Sequence, residues 1–347
     1  MSEFHSAAKL YKLGSSLFQS IGAHKAEADL ATHELVLSSM LGHDSHGIIR
    51  IPEYVGFIEN GSLKTKAIVE KRMTGDTTAE VDCGQGFGAV GATAAINLGI
   101  EIARQHKTAC VITRNCNHVG RLGSYVTKAA EAGMVAIATC NSPIYGHHVL
   151  PFGGREGRLA TNPIAYGAPT EGNPVVADFS TSVVPEGKIR FYRNENKPVP
   201  DGWILDGKGK PTNDANDFYS DPPGGILPMG GNVGHKGYAL GLLVEILGAV
   251  FSGISSTATN VFGNGVCFII LNTNSFTESN VFSKLMSETV EYMKSSIPIE
   301  GVEEVMVPGE LEFQTKIERG KKGIPVDPET WKQIEELCKK YSVSIED

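Results

Sequence analysis

The sequence predicts an α/β layered fold, and three observations point to it. Through the first seventy residues apolar positions recur at helical spacing. From about Lys71 onward, short β-branched runs alternate with helical patterns between glycine turns. The 347 residues are 41% hydrophobic and 20% charged, enough for one large core or two closely packed domains.

The elements follow in order. In "AHKAEADLATHELVLSSMLGH", Ala26, Leu30, His33, Leu37 and Met40 stand at three- and four-residue steps, so this helix is expected to present that face to the core. The runs "TAEVD", "TACVITRN", "GMVAIATCN" and "NPVVADFS" read as strands, and "ATAAINLGIEIARQH" and "GSYVTKAAEAG" as helices. Residues 196–234, rich in Pro, Gly and Asp, are long for a structureless loop, so they are expected to be functional or pinned against the body. "GYALGLLVEILGAVFSG" reads as a buried helix, too short to span a bilayer and carrying Glu245 at its middle. The strand "GVCFIIL" comes next. In "VDPETWKQIEELCKKY", Asp327 is the expected N-cap, Pro328 the first helical residue, and Trp331, Ile334 and Leu337 the inner face.

Composition excludes several partners. The net charge of −8 and the lack of a concentrated basic face argue against nucleic acid, and no stretch reads as a membrane span. The first residues lack the basic start and apolar run of a signal peptide. Six scattered cysteines without a C-x-x-C pair suit a reduced, cytoplasmic protein.

"DCGQGFGAVGATAA" places Gly86, Gly88 and Gly91 in the G-x-G-x-x-G spacing of a Rossmann dinucleotide site. The strand after such a motif should end in an acidic residue, yet this one ends in Thr113, Arg114 and Asn115. The preceding run holds Glu80 and Asp82, where a central parallel strand should be apolar. The glycines therefore read as letting a helix approach a sheet closely. The Rossmann alternative would recast Arg114 as a reader of a 2′-phosphate.

Polar chemistry gathers in four places. "GHDSHGIIRIPEYV" offers His43 or His46 as a proton carrier near neutral pH and Arg50 as a fork for a carboxylate. A metal site of His43, Asp44 and His46, or simply a capped turn, are the other readings of that segment. "RNCNHVGRLGSY" puts His118 at a strand end, where side chains face the ligand crevice of α/β sheets. "NSPIYGHHVLPFGGREGRLATNPIAYGAPT" has the turn formers of an active-site wall, with no role assigned to His147 and His148. In "VVADFSTS", Asp178 and the hydroxyls after it form either an anion nest or a capped turn.

Together with "PFGG", "LATNPIAYGAPT", "GWILDGKGKPT", "GHKGYALGLLVEILGAVFSG" and "VPGE", these stretches resemble the malate/L-lactate dehydrogenase family in a fixed order over most of the chain. That family also holds L-sulfolactate, ureidoglycolate and 2,3-diketogulonate oxidoreductases and Δ1-piperideine-2-carboxylate reductase. The resemblance implies a non-Rossmann nicotinamide-binding sheet domain, residues 76–310, packed on a mainly helical domain. That second domain would join residues 1–75 to the C-terminal segment 311–347. It implies NAD or NADP on Asp178, Phe179, Ser180, Thr181, His235, Lys236, Gly309 and Glu310, no metal, and a homodimer. It makes His118 the base that takes the hydroxyl proton of a small 2-hydroxy acid. His46 becomes a second proton-relay or orienting group with Ser45 beside it, Arg50 a carboxylate clamp, and Tyr54 a substrate-positioning group. Lys188 stands where imine-reducing relatives tend to carry an acid, which favours malate or lactate over a cyclic imine. A metal-dependent hydrolase using His43, Asp44, His46 and His118 is the alternative from another class.

Overall fold

The computed structural model describes residues 3–254, 256–258 and 263–345. Its centre is a seven-stranded mixed sheet in the spatial order Glu70–Met73, Thr78–Asp82, Thr108–Arg114, Val266–Asn272, Met134–Cys140, Ile164–Ala168, Val175–Phe179. Thr78–Asp82 and Thr108–Arg114 run parallel, joined by helix Gly88–His106 as a crossover. The other neighbouring pairs are antiparallel. This is an α/β fold, and its single parallel pair separates it from a doubly wound Rossmann sheet. Helices Gly88–His106 and Gly123–Glu131 cover one face, where Val81, Ile96, Val111, Tyr125, Phe268 and Ile270 form the largest core. Strand side chains alternate between that core and a half-buried face, as Thr108–Arg114 shows residue by residue.

A second core joins the two ends of the chain. Leu10, Leu17, Phe18, Leu35, Ile51 and Tyr54 from the N-terminal helices pack with Ile324, Trp331 and Ile334. Strand Glu3–His5 pairs antiparallel with Ile324–Val326, and His5 stacks on Trp331 with ring centroids 3.8 Å apart. Helix Pro328–Lys340 begins as its sequence indicates, with the Asp327 side chain accepting from the Thr330 N–H at 2.9 Å. Trp331 and Ile334 are buried, and Leu337 packs half-buried beside them.

Two expectations need correction, and a third segment is more ordered than its composition suggests. Helix Lys25–Met40 buries Ala28, Ala31, Thr32, Leu35, Ser38 and Ser39, while Ala26 and His33 are exposed. Small side chains line its inner face because helices Ala7–Ser20 and Gly88–His106 both pack closely against it. The apolar segment from Gly237 is not buried throughout. It forms helix His235–Glu245 running into a π-helical turn, Ile246–Val250, with Leu242, Leu243, Ile246, Val250 and Phe251 exposed on this chain. Residues 196–234 are not structureless: strands Ile204–Leu205, Pro211–Thr212 and Gly225–Ile226 form a small sheet. Ile204, Phe218, Ile226, Ile189 and Val149 give it a core of its own. His148 belongs to that unit, its ring edge-on to Phe218 at 5.6 Å.

Candidate active site

His46 and His118 reach one point from different parts of the fold. His46 lies in the 3-10 turn Asp44–His46, between helices Lys25–Met40 and Ile51–Glu59. The turn sits tightly on Ser39: a Cβ on Gly47 would lie 2.0 Å from Ser39 Oγ, which accepts the Ile48 N–H at 3.0 Å. Helix Glu310–Lys322 clamps the turn from outside. Arg319 donates to the Asp44 carboxylate and to the Ser39 carbonyl, and His43 Nε2 meets Glu312 Oε1 at 3.3 Å. His43 and Asp44 are thus engaged with separate partners. Among the described residues, no three His, Cys, Asp or Glu side chains gather to hold a metal ion.

His118 follows strand Thr108–Arg114, and its ring stacks on His46 with centroids 5.4 Å apart and planes 18° from parallel. Tyr54 Oη lies 2.7 Å from His118 Nδ1 and 3.3 Å from the His118 carbonyl oxygen. Tyr54 itself is buried and packs among Phe18, Phe57 and Phe87. Ser45 Oγ is 3.0 Å from His46 Nδ1. Arg50 donates from Nε to the Ser45 carbonyl at 2.7 Å and from Nη1 to Glu53 Oε2 at 2.5 Å. Nε and Nη1 are therefore tethered, and Nη2 remains to grip a carboxylate.

Electrostatics keep both imidazoles neutral. Burial lowers the His46 pKa to about 3, reinforced by the electrostatic influence of Arg50, His43 and Arg121. Burial, then Arg50 and His46, holds His118 well below its ordinary value. Neutral imidazole is the form that accepts a proton. An anion bound to Arg50 would offset its charge and raise both histidines toward the working range.

The second group of expected site residues lies along the end of the sheet. Asp178 ends the inner part of strand Val175–Phe179, accepts the Gly123 N–H at 2.7 Å, and is pushed up in pKa by burial against the pull of Arg121. Phe179 is 38% exposed. The Ser180 hydroxyl donates to the Ser182 carbonyl, and that of buried Thr181 to the carbonyls of Thr161 and Asn162, so both hold the turn's shape. The turn pairs with residues 227–229, and a Cβ on Gly237 would strike the Met229 carbonyl at 2.1 Å. This brings exposed His235 and Lys236 to the same rim. Gly309, at φ +100°, packs against the Val176 backbone, while Glu310 is engaged by Lys294 and the Val307 N–H. No contact among the described residues ties His235 or Lys236 to His46 or His118.

Comparison with known proteins identifies the family. The profile of the malate/L-lactate dehydrogenase family matches residues 5–335. The chain is 34% identical over 346 residues to a malate dehydrogenase of Pyrococcus abyssi, covering 96% of this chain and 94% of that one. It is 33% identical over 339 residues to hydroxycarboxylate dehydrogenase B of Escherichia coli, covering 94% and 91%. The chain belongs to the malate/L-lactate dehydrogenase family. The crystal structure of malate dehydrogenase from Entamoeba histolytica superposes with a TM-score of 0.93 at 27% identity, covering 99% of each chain.

In this member of the malate/L-lactate dehydrogenase family, the glycine motif seats the histidine. A Cβ on Gly88 would lie 2.2 Å from the Asn117 carbonyl oxygen and 2.3 Å from that of His118. One on Gly91 would lie 2.2 Å from Cys83 Sγ, and one on Gly86 2.7 Å from the Ala67 Cβ. Gly88 thus lets helix Gly88–His106 press against the segment that carries His118, while Gly91 makes room for Cys83 and Gly86 for Ala67. Two neighbours of the site had no role assigned from the sequence. Arg121 is buried 3.9 Å from Asp178 with no hydrogen bond to its Nε, and its charge reaches His46. Its only local signal was a basic residue three positions after His118. Glu312 gave none, since its partner His43 is 269 residues away in sequence.

Proposed function

We propose that this oxidoreductase is an NAD(P)-dependent dehydrogenase interconverting a small 2-hydroxy acid of the malate or lactate type with its 2-oxo acid. The observation that carries the reading is a stacked pair of neutral imidazoles beside a half-tethered guanidinium. One side supplies the proton site and the other the carboxylate grip that a 2-hydroxy acid requires. The end of the sheet suits a dinucleotide. Lys236 offers a cation, Asp178 a buried carboxylate, and Gly309 a close approach to the backbone. Arg121 adds a buried guanidinium whose Nε pairs with Asp178 only across 3.9 Å, without a hydrogen bond. When bound, the nicotinamide supplies the acceptor or donor of hydride.

The chain's own residues do the rest. Arg50 orients the substrate by its carboxylate. His118 takes the hydroxyl proton in oxidation and returns it to the carbonyl oxygen in reduction. His46 stacks on His118, and Ser45 fixes the orientation of His46. We assign residues 76–310 as the cofactor-binding domain, and residues 1–75 with 311–347 as the helical domain that brings His46 and Arg50. We further propose a homodimer in the cytoplasm. The exposed apolar side chains of helix His235–Glu245 and the turn after it support a second copy as partner. So does helix Ser279–Lys294, which buries none of its residues on this chain. Six free thiols suit a reducing compartment. Among the described residues, no helix is long and apolar enough to cross a membrane.

The test is loss of NADH or NADPH absorbance with oxaloacetate, pyruvate, 3-sulfopyruvate and Δ1-piperideine-2-carboxylate offered separately. One 2-oxo acid should turn over, with His118→Ala lowering kcat on the order of 10³-fold and Arg50→Ala acting mainly on KM. Turnover of the cyclic imine alone would replace the proposed substrate class. No turnover with any of the four would remove the reading. Light scattering during gel filtration tests the dimer, which a monomer mass would exclude.

A further inference from the structure

The sequence assigned Tyr54 to the substrate, but its hydroxyl is spent on His118. We propose that Tyr54 is a positioning residue that holds His118 in its Nδ1–H form, leaving Nε2 as the nitrogen that carries the proton. The inference rests on the proposed proton-transfer role of His118 and names the atom at which it occurs.

The argument is a count of donors and acceptors. A phenol has one proton to give and lone pairs to accept with. Tyr54 Oη has two neighbours, His118 Nδ1 at 2.7 Å and the His118 carbonyl oxygen at 3.3 Å. If the phenol gave its proton to Nδ1, that carbonyl would lose the one hydrogen bond it has among the described residues. If Nδ1–H donates to the phenol oxygen, the phenol proton is free for the carbonyl, and all three groups are satisfied together. Buried polar groups settle in the arrangement that pairs the most of them.

Among the described residues the carbonyl has no other donor. Helix Gly88–His106 comes so close that a Cβ on Gly88 would overlap this oxygen. The phenol is locked by the aromatic cluster of Phe18, Phe57 and Phe87, and burial raises its pKa, so it keeps its proton. Nε2 makes no hydrogen bond to any described residue. A proton arriving there converts neutral His118 to imidazolium, and Nδ1–H keeps its bond to Tyr54 unchanged. When the proton leaves from Nε2, the same bond again stays in place. One hydroxyl orientation therefore serves both directions of the reaction, with no side chain turning over.

The experiment is nitrogen NMR of histidine-¹⁵N-labelled protein without ligands, with His118 assigned by its absence in His118→Gln. Wild type should show neutral His118 protonated at Nδ1 and bare at Nε2. Tyr54→Phe, which keeps the ring and its packing, should shift His118 toward the Nε2–H form. With a turned-over substrate, the variant should lose kcat on the order of 10²-fold while KM stays within about threefold. The kcat/KM profile for 2-oxo acid reduction should move to lower pH, because imidazolium loses an acceptor. An Nε2–H wild type, or the same tautomer in both proteins, would overturn the proposal, as would a rise in KM alone. The NMR result needs no turnover, so it stands apart from the substrate assignment.

Discussion

At the scale of the residue, the site depends on atoms that are missing. Gly88 has no Cβ, and the space one would take is filled by the carbonyls of Asn117 and His118. Gly88→Ala must therefore push the His118 backbone away. An ångström of misplacement at a reacting group costs on the order of 10²-fold in rate, so kcat should fall by roughly that factor. Gly56→Ala is the matched control. Gly56 lies inside helix Ile51–Glu59, with nothing within 4 Å of its would-be Cβ. That variant should keep full activity and gain about 0.5–1 kcal/mol of stability. Equal effects on activity in the two variants would show that the glycine motif does not seat His118. Arg50 carries a sharper requirement than charge alone. Its Nε and Nη1 are already bound, so Arg50→Lys, a point charge without the fork, should recover little of the KM lost in Arg50→Ala.

At the scale of the element, strands and caps were the legible part. The strand at 108–114 was clear because β-branched runs and turn residues bound it on both sides. Helix Pro328–Lys340 was legible to its first residue because an N-cap aspartate and a following proline are local chemistry. Asp327→Ala should cost about 1 kcal/mol, seen as a lower urea midpoint at unchanged slope. An unchanged midpoint would mean the cap is dispensable. Helix Lys25–Met40 was misjudged for a physical reason. Its inner face is built largely from Ala, Thr and Ser beside Leu35 and Val36, because close helix packing selects small side chains there. Its larger residues Leu30, Leu37 and Met40 end only half-buried. Glu34 on the same helix pairs with Lys128 at 3.0 Å, a link to helix Gly123–Glu131 that no local pattern announces. Ile164–Ala168 was read as part of a wall because two glycine-rich turns flank a run of only five residues.

At the scale of the whole molecule, two half-buried, neutral histidines tie stability to pH. The pKa of His46 falls to about 3 in the fold, and that of His118 also lies well below its ordinary 6.5. Below pH ~6.5 the unfolded chain binds protons that the folded chain refuses, so stability declines as pH falls. The slope is about 1.4 kcal/mol per pH unit for each histidine until its folded pKa is reached. Melting temperatures recorded from pH 7 to pH 5 should drop less steeply in the His46→Gln/His118→Gln double variant than in wild type. Parallel curves would show that these rings are charged in the fold. The sheet was within reach of the sequence, and so were His46 and His118 as candidate proton carriers. The supports of the site were not, because they join residues hundreds of positions apart.

Those supports have a consequence for how the protein is made. The turn bearing His46 is gripped by Arg319 and Glu312, and the first strand by Ile324–Val326. On a ribosome, the early helices emerge long before their clamps are synthesised. A nascent chain can complete its central sheet once Val266–Asn272 has left the exit tunnel, yet the His46 turn must wait for Glu312 and Arg319 to emerge. Ribosome-stalled chains ending ahead of Glu310 should therefore be folded in part and catalytically silent, and activity should appear once Val326 has cleared the tunnel.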